Sequence, residues 1–284
     1  TPLSALLFVA FLAALVWTGR GMNIDRDMLI AFDLLLVVDR NIRVNLGSTG
    51  EMTGYWLFGV MVFLALFHLR KRLSMLPLGG AAVWLNLHAV GGVLVLLIYW
   101  LHTGSLWPNG IYEYGLAVLF YLTALSGIVG YFIQRVYPRM MTQTGIEVIY
   151  ERIPAHLSDL REEAKRLVVE CCDRTRVDTL GRYYLNTLDW YFRRPRFGFN
   201  HVVGSQRSRQ WLRQQDAYVR HYLNDEEKAY LDRLTKIARQ KDKIDLHYAL
   251  QSVMKRWLLV HIPLTAALMT LALWHLLVAN VYAL

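Results

Sequence analysis

The 284 residues are 55% apolar and carry a formal net charge of +9 at neutral pH. Apolar residues gathered in long blocks exceed what a soluble domain holds, so the sequence reads as an all-α integral membrane protein. No nucleic-acid module or arginine-rich tail accompanies the basic excess, which excludes nucleic acid as a partner, and the adjacent Cys171 and Cys172 form no CxxC or CxxCH, which excludes iron–sulfur ligation and covalent haem within this chain.

Five apolar spans are predicted, at about residues 3–18, 53–69, 80–102, 111–134 and 257–282. The first resembles a signal-peptide core in length but has neither a basic leading region nor a small-residue cleavage site, so it is read as a membrane helix. Between the first two spans, a charge-flanked apolar run near 27–44 that contains Asp33 predicts an interfacial helix. The second span ends on Arg70, Lys71 and Arg72, whereas the loop between the third and fourth spans has no lysine or arginine. Positive charge favours the cytoplasmic side, so the Arg-Lys-Arg loop is placed inside. Alternation then puts the segment from Arg135 to Arg256, with 24 Lys+Arg against 16 Asp+Glu, on that same side. The expected location is a bacterial inner membrane, N-terminus inside and C-terminus outside.

The domain organisation follows. Residues 1–134 hold transmembrane helices one to four with the interfacial helix. Residues 135–256 form a basic helical cytoplasmic domain, inserted between the fourth and fifth spans. Residues 257–284 complete the membrane bundle. Within the insert, Leu157, Leu160, Ala164, Leu167, Val168 and Cys171 recur at helical spacing, and Asn224-Asp-Glu-Glu227 reads as a capping box opening a long helix toward Trp257. Arg193, Arg194, Arg196, Arg207 and Arg209 mix with aromatics and glycines between those helices. That cluster reads as a docking surface for an acidic redox partner, as contact with anionic lipid, or as a basic loop obeying the topology rule. His156, His201, His221 and His247 have no metal-like spacing and read as surface or helix-packing residues.

The chemistry is carried by four other histidines. His88 and His102 lie on the third span, His261 and His275 on the fifth, and each pair is fourteen residues apart. That spacing is a rise of about 21 Å with both side chains on one helix face. Ionisable groups at membrane depth are costly and default to function. Two parallel helices with such pairs can hold two stacked haems, each with an imidazole from either side. The third and fifth spans run in the same direction, so His88 pairs with His261 at the inner level and His102 with His275 at the outer level. Gly91 and Gly92 leave the helix face after His88 bare for close approach of a macrocycle, Arg256 lies near the inner surface where a propionate could pair with it, and Pro263 predicts a kink or a helix restart. In the fourth span, Gly127 and Gly130 read first as close helix packing.

The paired histidines resemble those of di-haem membrane cytochromes, the cytochrome b of quinol-oxidising complexes and the transmembrane domain of ferric reductases and NADPH oxidases. The likeness covers the third to fifth spans. It implies two non-covalent, bis-histidine b haems on His88, His102, His261 and His275. Two features depart from it. The flavin and nicotinamide module of the reductases is not in the sequence, nor is the quinol loop of the respiratory cytochrome. The expected function is therefore a di-haem subunit of a membrane redox complex. Its expected partners are peripheral flavin, iron–sulfur or cytochrome subunits, with quinone and membrane lipids. The alternatives are a membrane anchor that docks a redox partner, or a metal or proton transporter using the intramembrane histidines. The transporter requires carboxylates near the histidines, and the third and fifth spans have none.

Overall fold

The computed structural model describes residues 49–70 and 81–282, and among them every regular element is helical. The span at 3–18, the interfacial helix near 27–44, and Lys71 and Arg72 lie outside the described residues. The described chain divides into two compact units. One takes the residues up to Tyr131 together with those from Leu259 onward, and the other is Phe132–Leu258.

The first unit is built from α1 (Thr49–Arg70), α2 (Ala81–Thr103) and parts of α3 (Ile111–Thr142) and α9 (Asp225–Tyr282). Ala82–Thr103, Ile111–Thr142 and Asp225–Val281 are long and apolar enough to cross a membrane, and a shorter apolar run, Met52–Leu66, lies within α1. Only 11%, 22% and 6% of the apolar windows of the three long helices are buried. A water-soluble bundle would bury such residues; these face outward, as a lipid solvent requires. The few buried residues, Met61, Val95, Tyr99, Ala117, Phe120 and Leu268, form a narrow seam. Gly91 serves α1–α2 packing here, since a Cβ on it would sit 2.6 Å from Leu64 Cδ2, while a Cβ on Gly92 would meet open space. Gly104 ends α2 in the left-handed region (φ 62°), its N–H bonding the Trp100 carbonyl at 3.0 Å.

The second unit contains a 3-10 turn (Tyr150–Arg152), α4 (Ile153–Thr175), α5 (Thr179–Tyr183), a π turn (Tyr184–Leu188), α6 (Asp189–Phe192), α7 (Gly198–Val202), α8 (Arg207–Arg220) and the polar part of α9. The expected apolar face of α4 is buried at every named position, Leu157 through Cys171, against α9 residues such as Leu231, Leu234 and Ile237. The capping box is reciprocal: the Glu227 N–H donates to Asn224 Oδ1 at 2.8 Å, and the Asn224 N–H donates to Glu227 Oε2 at 3.1 Å. The helix it opens runs 58 residues without a break.

That continuity removes one of the two alternatives expected at Pro263, the restart. Pro263 does not restart the helix, for α9 passes through it. Pro263 has no N–H to give to the preceding turn, and Thr265 Oγ1 donates to the His261 carbonyl at 2.9 Å beside it.

Candidate functional site

All four candidate histidines belong to the first unit and are half-buried on helices whose other faces are exposed. His102, from the last turn of α2, and His275, from α9, line one cavity of about 490 Å³. Their ring centroids are 6.4 Å apart with the planes at 85°. Two imidazoles on opposite sides of one metal ion, each bonded at about 2 Å, place their ring centres about 6 Å apart. The pair thus has the separation of two axial ligands.

The surroundings fit the same role. His102 Nδ1 lies 3.0 Å from the Gly50 carbonyl and 3.3 Å from Thr53 Oγ1, both on α1. A ring nitrogen that donates to a backbone carbonyl fixes the tautomer and leaves Nε2 as the ligating atom. Gly54, one turn on, lets the ring lie close, for a Cβ there would be 3.0 Å from His102 Cε1. His275 stacks on Tyr112 of α3 at 6.0 Å and 21°. The rest of the wall is apolar and aromatic, including Phe58, Met61, Phe120 and Leu268, with Glu113 and Asn280 as polar members. A cavity of this volume with a mostly apolar lining has room for a flat cofactor.

His88 and His261 are each held by a neighbouring helix. The His88 ring is set against the Leu64 backbone of α1. His261 Nδ1 lies 3.1 Å from Ser126 Oγ of α3, and a Cβ on Gly127 would come within 3.8 Å of the His261 ring. The Ser-Gly step of α3 is therefore a histidine-packing site as well as a small-residue stripe. Arg256 is exposed, and Lys255, its neighbour, pairs with Glu151 and lies 3.9 Å over the Tyr150 ring. The α1 residues Gly50, Thr53 and Gly54 were not singled out from the sequence; the Gly-x-x-x-Gly spacing of 50 and 54 is the signal they carried.

In the second unit the arginine segment is pinned from below. Lys241, Asp242 and Asp245 of α9 are buried beneath it, with Lys241 fully so. Lys241 Nζ pairs with Asp245, donates to the Arg194 carbonyl at 3.0 Å and sits 3.9 Å over the Tyr191 ring. Asp245 Oδ2 accepts the Arg196 N–H at 3.1 Å, and burial pushes this carboxyl up to about 7 against the pull of the Lys241 ammonium. Asp242 accepts from Ser208 and lies 3.5 Å from His201 Nε2. His201 is buried, and burial lowers its pKa; His247 packs against Thr144 Oγ1 at 2.9 Å. Three of the five arginines have internal work. Arg193 pairs with Asp189 at 2.6 Å, Arg196 stacks 3.9 Å over Trp190, and Arg209 lies 3.6 Å from Asp242. Arg194 and Arg207 are exposed and enter no ion pair among the described residues.

The chain matches no protein-family model, no curated protein and no solved structure.

Proposed function

We propose that this chain is a di-haem b-type subunit of a membrane redox complex, passing electrons across the bilayer between a cytoplasmic or quinone-level partner and an outer-side carrier. The observation that carries the reading is the His102–His275 pair, 6.4 Å between ring centres at the wall of one cavity. In this reading His102 and His275 hold one haem and His88 and His261 the other, non-covalently. Bound haem supplies the one-electron chemistry. The protein's own part is positional: the Gly50 carbonyl orients His102, Tyr112 backs His275, and Phe58, Met61, Phe120 and Leu268 supply apolar wall. Five spans, a cytoplasmic insert, a bacterial inner membrane and an outside C-terminus complete the proposal. The exposed Arg194 and Arg207 are offered as contacts for an acidic partner subunit.

A second reading has one observation in its favour. Glu113 of α3 lines the cavity with His102 and His275, which brings to the histidines the carboxylate that a proton or metal transporter needs. A visible spectrum of the purified protein separates the two. The cytochrome reading expects b-type bands on dithionite reduction and two haems per chain by pyridine haemochrome; the transporter reading expects neither. A preparation that binds no haem after expression with haem precursor refutes the cytochrome reading.

A further inference from the structure

Two apolar side chains at α7 stand open on the second unit. Phe199 is 77% exposed and Val203 58%, and their spacing of four puts both on one face of the turn. Backbone geometry holds them out. Phe197 takes a left-handed conformation (φ 55°), unfavourable for a residue with a Cβ, and its own ring turns inward onto Trp211 at 5.8 Å and Tyr191 at 6.5 Å. After Val203 the chain turns at Gly204 (φ 72°), where a Cβ would lie 3.7 Å from Met140 Cε of α3. Met140 therefore marks the level of this knuckle along α3. A helix of 32 residues is about 48 Å long, and a bilayer with its headgroups is roughly 40–45 Å thick, so the last turns of α3 end at a headgroup layer. Phe132, Val136 and Met140 are spaced by four on one strip of α3, with Phe132 and Val136 exposed. Phe199 and Val203 extend that outward apolar strip.

We propose that Phe199 and Val203 dip into the headgroup layer of the bilayer that α3 crosses, and that this layer is anionic, with Arg139 at the lipid phosphates. The charge around the knuckle has one sign. No acidic residue occurs between Asp189 and Asp216, or between Glu113 and Glu147, and Arg139, next to Met140, is exposed. Apolar side chains beside arginine match the boundary between acyl chains and anionic headgroups. An acidic protein would be met by the arginines alone and gives no role to an open phenylalanine at the end of an apolar strip. Arg194 and Arg207 take no part in this contact. The inference needs α3 to span a membrane and is independent of haem.

Because both side chains are exposed, Phe199→Cys and Val203→Cys leave the core untouched. In the full-length chain carrying Cys172→Ala, with Cys171 fully buried, each new cysteine takes a spin label. The labelled proteins are reconstituted in vesicles containing phosphatidylglycerol, and collisions with oxygen, which concentrates in the bilayer, are compared with collisions with a water-soluble nickel chelate. Glu226→Cys is the reference in water, since Glu226 is exposed and lies about 46 Å along α9 from Trp257. The expected outcome is a higher oxygen-to-nickel ratio at 199 and 203 than at 226, lowered in pure phosphatidylcholine and by Arg139→Gln. Ratios equal to that at 226 overturn the inference and leave the face to water or to an absent protein partner. Labels shielded from both reagents overturn it in favour of contact with a second copy of the chain. A high ratio that neither phosphatidylcholine nor Arg139→Gln lowers overturns the anionic-lipid assignment. Haem content of the same vesicles decides the di-haem reading separately.

Discussion

His102→Ala and His275→Ala test the site most directly, because the ring centres stand 6.4 Å apart with both rings on one cavity. Under the proposed function, two metal–nitrogen bonds of about 2 Å, with the ring halves behind them, would use up that distance, so an alanine methyl on either side would leave a bound iron one ligand short. Either substitution is expected to lower the haemochrome ratio from two haems per chain to one and to remove the same spectral component. His88→Ala and His261→Ala are expected to remove the other component. Gly54→Val gives a graded version. A Cβ at Gly54 is already 3.0 Å from His102 Cε1, and the two methyls beyond it displace the ring by more than the roughly 0.5 Å that a ligand geometry tolerates. The component lost in His102→Ala should weaken in Gly54→Val while the other stays intact. Should His88→Ala and His275→Ala delete one and the same component, the pairing by membrane depth is wrong, and with it the parallel arrangement of the two histidine-bearing helices.

Three further outcomes concern the second unit. Asp245→Asn leaves the fully buried Lys241 without its counter-charge and is expected to cost about 3–5 kcal/mol of that unit's stability, with most of it recovered when Lys241→Met is added; thermal unfolding in detergent measures both, and a loss below about 1 kcal/mol in the single variant contradicts the buried pair. Asn224→Ala breaks the reciprocal cap at the start of α9 and should cost about 1 kcal/mol, read as a lower unfolding midpoint without change in haem content. Arg194→Glu with Arg207→Glu should slow electron exchange with an acidic partner, and raised salt should mimic it; stopped-flow rates indifferent to both leave these arginines as topology signals.

What could be read from the sequence follows from which interactions are local. Helix periodicity and caps depend on residues three or four apart, so the apolar face of α4 and the Asn224–Glu227 box were legible. The spacing of His88 to His102 and of His261 to His275 was legible for the same reason, since one helix carries each pair. Contacts between helices carry no such period. Nothing around Gly54 announces that a ring from α2 lies against it, and nothing around Tyr99 distinguishes a tyrosine that seals a cavity from one that anchors at an interface. The arginine segment reads as a basic stretch with three open roles, yet Lys241, Asp242 and Asp245, more than thirty residues on, hold it through the Arg194 carbonyl, the Arg196 N–H and the Arg209 guanidinium.

The unbroken course of α9 carries the last step. A single helix extends from the Asn224 cap, past the buried Lys241–Asp245 pair, to His261 and His275. Pro263 costs it one backbone hydrogen bond but no break. A helix of 58 residues is about 87 Å long, well beyond the roughly 30 Å that a bilayer core requires. Its polar part is therefore not needed to span a membrane; it is the element on which the second unit's core is assembled.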